Sequence, residues 1–433
     1  MSSGRFVVLG LAQARSPWFR SVAQWSNSGS IPVEFLKCMS AVELRAHLGS
    51  GRAFSALLVD GSIPALDRDL VEEARTAGCA VLVVDDFRVT RDWLALGANA
   101  VVNPMFERKD LVDLLGEHTV QISRGDRVAT LADQPTSGSN RARVAAVCGA
   151  GGTGASTAAI ALAQGLADAG DHSGTVLLAD LALHAEQAML HDARDVVPGV
   201  QELVDAHRSA RLAAEELRNL TFDVESRGYQ LLLGLRRARY WAAIRPRAFA
   251  AAFDALTAAW DFVVCDIDAE FEGEDDGGSA DVEERHLMAR VAVARADAVV
   301  VVGSPSMKGI HAMGRVIGEL LDHEVPAGRI ISAINHGPRS PRIRAGLSSA
   351  IAQLLHGRPG ATALHTPIYL PERRVDEALR DGVRLPPALS PPLVGAFLAV
   401  TQQAAEGRGE QEPRPIQPGS LGHWAADVSP EPA

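Results

Sequence analysis

Cysteine is scarce in this 433-residue chain, which has only Cys38, Cys79, Cys148 and Cys265. The four are scattered without a CxxC pair, so their spacing argues against a structural zinc site or a disulfide framework. Long apolar runs are also missing, because no stretch approaches the ~20 apolar residues that cross a bilayer. The N-terminal segment is too short in apolar residues for a secretory signal peptide. These absences predict a cytoplasmic protein.

Positive charge is in deficit as well. The net charge is -11, and the chain has only three lysines, Lys37, Lys109 and Lys308. Nucleic-acid binders and proteins that adsorb to anionic lipid need clustered Lys and Arg, so neither partner is expected. The apolar segment 393–407 lacks the basic residues of an amphipathic membrane helix. Any membrane association is therefore predicted to be indirect, with no direct insertion.

Two changes of composition divide the chain. Residues 121–142 are polar and rich in Ser and Gly, which is typical of a linker, and residues 406–433 are rich in Pro and Gly, which predicts a disordered tail. The remaining ranges, 1–120 and 143–405, have the composition of folded domains.

In both domains, apolar runs alternate with segments of helical periodicity. This alternation is typical of parallel strands joined by helices, so the fold class is α/β with two doubly wound sheets. In the first domain, strands are predicted at 6–11, 56–61, 80–86 and 100–104. In the second, they are predicted at 143–149, 175–181, 229–235, 261–267, 298–305 and 329–336.

A glycine-rich loop follows the first strand of the second domain and leads straight into a helix. It comprises Gly149, Ala150, Gly151, Gly152, Thr153, Gly154, Ala155, Ser156 and Thr157. Strand, glycine loop and helix in this order are the context of a phosphate-binding loop, where backbone N–H groups and the helix N-terminus attract an anion. The alternative is a turn whose glycines only allow close packing of helix and strand.

The loop lacks the cation that such loops carry. Gly149 and Gly154 have the GxxxxG spacing, and Ser156 stands where a Mg²⁺-binding hydroxyl belongs, but Ala155 occupies the lysine position. Losing one charge-assisted hydrogen bond costs about 1.5–3 kcal/mol. Backbone amides and Ser156 still allow weak ATP binding, whereas phosphoryl transfer depends on positioned cations. We therefore expect slow hydrolysis or none.

At these residues the chain resembles the MinD/ParA family of deviant P-loop ATPases, particularly its CpaE/TadZ branch. The family loop K-G-G-x-G-K-[ST]-[ST] aligns with residues 150–157, and both of its lysines are alanine here, Ala150 and Ala155. The CpaE/TadZ branch is similar to this sequence in that its P-loop lysine is often replaced. The resemblance extends over most of 143–400.

The resemblance also implies roles for carboxylates at strand ends. Asp180, in VLLADLAL, matches the first aspartate of the family's VLLxDxDx strand and is a possible catalytic residue, but Ala182 replaces the second, water-orienting aspartate. Asp266, in WDFVVCDID, matches the Walker B carboxylate. Asp268 takes the place of a common proline.

The family's cofactors are ATP and Mg²⁺, and the resemblance implies both for this chain. Mg²⁺ would be held through the nucleotide by Ser156 and Asp266, and Asn335 matches an asparagine near the adenine pocket. The acidic run 270–284 follows Walker B. It is interpreted either as a solvated insertion or as a source of negative potential that disfavours ATP without Mg²⁺.

The first domain resembles a response-regulator receiver, a flavodoxin-type fold that also fits CpaE/TadZ architecture. Asp60 matches the phosphoacceptor position, but no acidic pair follows the first strand. Asp85 and Asp86 occupy the end of the strand at 80–86, and Asn103 instead of lysine precedes Pro104. Asp60 is therefore interpreted as a strand-end or capping residue, and the domain as a protein–protein module.

Three functions remain open on this sequence. The first is a CpaE/TadZ-like localisation or scaffold protein, a homodimer controlled by a degenerate ATP site. It would be recruited to the pole, septum or inner membrane face by partners in a pilus, secretion or septum-placement machine. The second is an active ATPase whose cation comes from Lys308, an arginine or the partner subunit. The third is a ParA-like DNA partitioning factor, which the net charge argues against.

Overall fold

The structure is a computed structural model that describes residues 5–13, 16–50, 52–85, 91–119, 141–169, 174–272 and 280–409. The predicted linker 121–142, apart from its last two residues, and the predicted tail from 410 onward lie outside these ranges. The described residues form two separate sheets. Each sheet has one apolar core on either face, so both sheets are covered by helices on two sides.

The first sheet has five parallel strands in the order β2-β1-β3-β4-β5, which is the flavodoxin-type order. Its elements are β1 (Phe6–Leu11), α1 (Pro17–Asn27), β2 (Val33–Cys38), α2 (Ala41–Leu48), β3 (Ala56–Asp60), α3 (Arg68–Thr76), β4 (Ala80–Val84), β5 (Ala100–Val102) and α4 (Arg108–His118). The sequence did not predict β2. This edge strand buries only its two end residues, so it lacks the continuous apolar run that marks a central strand.

The second sheet has eight strands and a longer series of helices. Its elements are β6 (Arg143–Gly149), α5 (Ala155–Asp168), β7 (Val176–Asp180), α6 (Gln187–Leu190), α7 (Val200–His207), α8 (Ala214–Arg218), β8 (Phe222–Val224), β9 (Tyr229–Leu232), α9 (Pro246–Ala259), β10 (Phe262–Asp266), α10 (Ala280–Arg285), α11 (Leu287–Arg295), β11 (Ala298–Gly303), α12 (Met307–Asp322), β12 (Ile330–Ile334), α13 (Pro341–Leu354), β13 (Ile368–Tyr369), α14 (Asp376–Arg380) and α15 (Ser390–Gly409). Three short 3-10 helices lie at Ala238–Ala243, Ala327–Arg329 and Ala361–Ala363.

The strand order in this sheet is β13-β12-β11-β6-β10-β7-β9-β8, and every pairing is parallel except that of the edge strand β8 with β9. The strand that carries the glycine loop, β6, is therefore central, between β11 and β10. In a doubly wound sheet, ligands bind outside the carboxyl ends of the strands. The glycine loop and the predicted carboxylates Asp180 and Asp266 all lie at that edge. The chain is thus an α/β protein with a P-loop sheet, as the sequence predicted.

Local sequence explains where several helices begin. The hydroxyl of Ser40 accepts a hydrogen bond from Glu43 N, and the hydroxyl of Ser306 caps α12 in the same way. Pro246 and Pro341 start α9 and α13, where the missing N–H of proline costs nothing. The starts of α12 and α13 follow β11 and β12, so they lie at the carboxyl edge of the second sheet.

The two α/β units touch through α3 and α9. Asp67 forms an ion pair with Arg208, with 2.9 Å between Asp67 Oδ2 and Arg208 Nη2. Arg68 Nε donates a hydrogen bond to the His207 carbonyl oxygen at 2.9 Å. Asp69, which is buried, accepts from Arg247 N at 3.0 Å. The contact is polar and small, as in the interfaces between domains of one chain.

At the predicted end of the linker, Arg141 and Ala142 already form hydrogen bonds with residues of the second unit. At the predicted start of the tail, α15 continues to Gly409. Within the part of the chain that the structure describes, no helix has the length and apolar character needed to span a membrane.

Candidate nucleotide site

The glycine loop turns sharply because several of its positions exclude a side chain. Gly152 and Gly154 have φ of 78° and 87°, a left-handed region that favours glycine. A Cβ at Gly154 would lie 2.5 Å from Asn335 Nδ2, and one at Gly149 would lie 2.5 Å from the Val302 carbonyl oxygen. Between these anchors, a Cβ at Gly151 or Gly152 would meet nothing within 4 Å. The loop therefore opens on its outer side, as a cradle for a ligand requires.

The first turn of α5 presents free backbone donors to this cradle. Gly154 precedes the helix and has no side chain, so within the described ranges no N-cap side chain accepts from the first N–H groups of α5. Thr153 instead closes the loop on itself, with its N and hydroxyl donating to the Ala150 carbonyl at 3.1 and 2.7 Å. An anion at this helix start would satisfy the free donors and interact favourably with the helix dipole.

Asn335 braces the loop from the end of β12. Its Nδ2 donates to the Thr153 carbonyl at 3.0 Å, and its Oδ1 accepts from His336 N. It also lines a pocket of about 110 Å³ together with Gly152, Gly154 and Thr157. This volume is below the ~300 Å³ at which small-molecule pockets begin. The nucleoside part of a nucleotide would therefore need this pocket to open or would extend beyond it.

Three carboxylates meet at the ends of β7 and β10. Asp180 and Asp266 are register partners on these neighbouring strands, and both are buried. The Asp266 carboxylate accepts a hydrogen bond from the Ser156 hydroxyl, which ties it to the first turn of α5. Asp268 accepts from Leu183 N at 2.6 Å. The structure thus brings together the predicted Ser156, Asp266 and Asp180.

Burial raises the pKa values of these carboxyl groups. Burial and the charges of Asp268 and Glu186 raise the pKa of Asp266 to about 6, even though hydrogen bonds from Gln187 and Ser156 oppose the shift. Burial, and then the charge of Asp266, raise the pKa of Asp180 well above its usual range. The pKa of Asp268 is also raised by burial. Ionising this group of carboxyls is therefore costly unless a cation is bound.

Gln187, which the sequence analysis missed, fills the space between these groups. Its Nε2 donates to Asp266 Oδ2 at 2.7 Å and lies 3.4 Å from the Ser156 carbonyl oxygen, while its backbone N donates to Asp180 Oδ2 at 2.9 Å. The side chain is completely buried, and its Oε1 has no hydrogen-bond partner among the described residues. A neutral amide is therefore bonded to Asp266 and lies next to Ser156, the two residues that the sequence predicts to hold Mg²⁺.

Replacing Gln187 by alanine is expected to lower the stability of the chain and to raise its affinity for Mg-ATP. The change removes one of the two hydrogen-bond donors of the buried Asp266 carboxylate, so the free energy of unfolding without nucleotide should fall by about 1–3 kcal/mol. Mg-ATP affinity should rise, because the Gln187 amide no longer competes for the Asp266 carboxylate. Thermal unfolding and calorimetric titration of the full chain check both effects. Gln353→Ala, on the exposed side of α13, is the control, and equal behaviour of the two variants would contradict the assignment.

The residues fit Mg-ATP in part. The glycine loop and the start of α5 would hold the phosphates, and Ser156 and Asp266 would hold Mg²⁺, with the nucleotide supplying its remaining ligands. Among the described residues, no group of three or more His, Cys, Asp or Glu side chains forms a metal site by itself. Lys308 is exposed in the first turn of α12, beside β6 at the same sheet edge, and is not on the loop.

The carboxylate of Asp60, at the end of β3, accepts three hydrogen bonds. It accepts from the Ser16 hydroxyl at 2.5 Å, from the Ser62 hydroxyl at 2.6 Å and from Ser62 N at 3.0 Å. It thus caps the turn after β3. Asn103 Oδ1 caps the next turn by accepting from Met105 N. Asp86 lies outside the described residues.

Comparison with known proteins gives matches among solved structures only. No protein-family model and no curated protein matches the chain. A ParA family ATPase from Chlorobium tepidum has a TM-score of 0.45 and 20% sequence identity, over 61% of this chain and 99% of its own. McdA from Cyanothece in complex with ATP has a TM-score of 0.44 and 17% sequence identity, and the match covers 62% of this chain and 98% of McdA. The septum site-determining protein MinD of Pyrococcus horikoshii with Mg-ADP has a TM-score of 0.40 and 18% sequence identity, and the match covers 62% of this chain and 98% of MinD. The structures to which this chain is similar are thus ATPases of the ParA and MinD type.

Proposed function

We propose that this chain is a nucleotide-gated localisation or scaffold protein of the CpaE/TadZ kind. One observation carries the proposal: the open glycine loop lies beside Ser156 and Asp266, which are bonded to each other, while Ala150 and Ala155 stand where the family has lysines. Such a site keeps the donors that bind a nucleotide and lacks the cations that accelerate phosphoryl transfer. Binding and release of Mg-ATP would then control homodimerisation, with chemistry secondary to assembly.

The arrangement of the carboxylates supports a site that responds to nucleotide binding more than a site that hydrolyses the nucleotide. Asp180 accepts two backbone N–H groups, from Gln187 and Ala182, so it is held as a structural acceptor. Because Ala182 replaces the family's water-orienting aspartate, the described site has no carboxylate at that position. If Asp266 and Ser156 held Mg²⁺, Gln187 Nε2 would lose its hydrogen bond to Asp266, and α6, which begins at Gln187, could then move. We propose that this movement is how the bound nucleotide is sensed.

The first sheet would serve as a receiver-like protein–protein module. Asp60 already has three hydrogen-bond donors within 3.0 Å, which supports a structural role for this carboxylate. The polar contact of α3 with α9 links this module to the nucleotide-binding unit. The partner would be a protein of a membrane-associated machine, such as a pilus, secretion or septum-placement apparatus, which would recruit the chain to a pole, septum or inner membrane face.

A working ATPase with a substituted cation is the second candidate. The observation that favours it is the position of Lys308, exposed near the carboxyl end of β11, the strand paired with β6. Phosphate release that depends on Lys308 would support this candidate and contradict the gate.

Calorimetric titration of the full chain with Mg-ATP tests the proposal. We expect binding without phosphate release, and at least a tenfold loss of affinity in Gly154→Val, because the added side chain collides with Asn335 and the backbone is left-handed. Gly328→Val is the matched control, since a Cβ there meets nothing within 4 Å. Equal affinity of the two variants, or turnover by the unmodified chain, would contradict the proposal.

A further inference from the structure

A cleft of about 800 Å³ lies beside the nucleotide site, at the carboxyl ends of β12 and β13. Three segments form it: the loop from β12 to α13, the first turn of α13, and the loop from β13 to α14. These segments meet because β12 and β13 are parallel neighbours, so the connections that follow both strands leave from the same edge of the sheet.

Four arginines line this cleft: Arg339, Arg344, Arg373 and Arg374. Within the described residues, none of the four forms an ion pair with a carboxylate, although Glu372 and Asp376 also line the cleft. Elsewhere in this acidic chain many arginines are paired, as in Arg45–Glu73 and Arg358–Asp322. A concentration of unpaired guanidinium groups around one concavity repels itself unless an anion is bound.

Contacts with backbone carbonyls and with one aromatic ring hold two of the four guanidinium groups in place. Arg344 Nε donates to the Pro338 carbonyl at 2.7 Å, and its guanidinium stacks 4.7 Å from the centre of the Tyr369 ring. Tyr369 is fixed in turn, because its hydroxyl donates to the Arg344 carbonyl at 2.8 Å. Arg373 Nη1 donates to the Glu372 carbonyl at 2.8 Å. Arg339 and Arg374 are exposed, and so their donors can reach a ligand.

The cleft joins the small pocket behind the glycine loop. Arg373, Pro371 and His336 line both cavities. His336 stands at the junction with φ of 51°, a strained conformation for a residue other than glycine. The two cavities together offer a path from the phosphate cradle to the arginines.

We propose that this arginine cleft is a second anion site, which binds a small phosphate-bearing metabolite independently of the glycine loop. Arg is suited to phosphate because its planar fork donates two hydrogen bonds at once. The volume lies within the range of small-molecule pockets. Tyr369, Pro338 and Pro371 give the wall an apolar part for an organic group attached to the phosphate.

A nucleic-acid strand is the competing ligand, and the surface fits it less well. Strand-binding proteins extend a basic groove over several nucleotides with aromatic rings for successive bases. Here the arginines surround one cavity, and the ring of Tyr369 in its wall already stacks on Arg344. Just beyond the cleft, Arg380 is paired with Asp381. The compact arrangement favours a small phosphate compound.

The test uses the full chain carrying Gly154→Val, so that the glycine loop is blocked and the result does not depend on the proposed function. Inorganic tripolyphosphate is titrated by calorimetry at low salt. Arg339 and Arg374 line the cleft without lining the glycine-loop pocket, so they are changed together to glutamine and, separately, to glutamate. The control changes the exposed Arg194 and Arg218 to the same residues, which alters the net charge equally.

We expect tripolyphosphate to bind to the loop-blocked chain, with affinity reduced at least tenfold by the cleft variants and less than threefold by the control. Circular dichroism verifies that the variants are folded, and the glutamine pair retains side-chain bulk. No binding in the loop-blocked chain, or equal losses in cleft and control variants, would overturn the proposal. So would arginine-dependent binding of a 20-nucleotide single strand without binding of tripolyphosphate.

Discussion

Replacing Ala155 by lysine is expected to tighten Mg-ATP binding about ten- to a hundredfold. Ala155 is the first residue of α5, directly after the left-handed Gly154, so a lysine there extends from the helix start that faces the cradle. The new ammonium would supply a charge-assisted hydrogen bond to the phosphates, worth about 1.5–3 kcal/mol. Calorimetric titration of the full chain measures the gain, and the loop is otherwise unchanged.

Ala155→Met is the matched control, because methionine has nearly the length of lysine without the charge. Its affinity should stay within threefold of that of the unmodified chain. Phosphate release should remain slow in Ala155→Lys, since Ala150 and Ala182 are still present. If lysine and methionine gave the same affinity, the loop would not contact the phosphates, and its glycines would serve only the packing against Val302 and Asn335.

Asp266→Asn is expected to stabilise the chain while abolishing its response to Mg²⁺. Burial raises the pKa of Asp266 to about 6, so the folded chain binds a proton at this group more tightly than the unfolded chain does. The ionised group therefore costs stability above pH 6, by about 2–3 kcal/mol at 1.36 kcal/mol per pH unit. Asparagine removes that cost and can still accept the hydrogen bond from Gln187.

The pH dependence provides the check. The gain in Tm of Asp266→Asn should be roughly 5 °C at pH 7.5, should shrink as the pH falls through 6, and should vanish only below about pH 3, where Asp266 is protonated in both the folded and the unfolded chain. Asp195→Asn, at an exposed position, should show no such gain. A destabilised Asp266→Asn at pH 7.5 would mean that the ionised carboxylate stabilises the fold, contrary to this interpretation.

The parts of the site that the sequence predicts are those where one residue type and its local geometry coincide. Gly154 is required by a backbone φ of 87°, and Asp266 ends a buried strand that the apolar run marks out. Gln187 was missed because it lies seven residues after Asp180 in a four-residue helix, which has no periodicity to reveal a buried face. A polar residue in such a segment is expected to be exposed.

Other features arise from pairing between distant segments. The edge strand β8 pairs antiparallel with β9 and has no apolar run of its own, since its residues are partly exposed. The arginine cleft unites Arg339 and Arg374, 35 positions apart, only because β12 and β13 are neighbours in the sheet. Sequence periodicity records which face of an element is buried, and it does not record which loops meet.

Light scattering after size-exclusion chromatography tests the central claim most directly, because the proposed gate couples nucleotide binding to dimerisation. The full chain, 45.8 kDa per copy, is run alone, with ATP and a chelator, and with millimolar Mg-ATP, while phosphate release is assayed in parallel. The account predicts the mass of one chain in the first two conditions and twice that mass with Mg-ATP, without phosphate release. A mass that stays the same in all three conditions would contradict it.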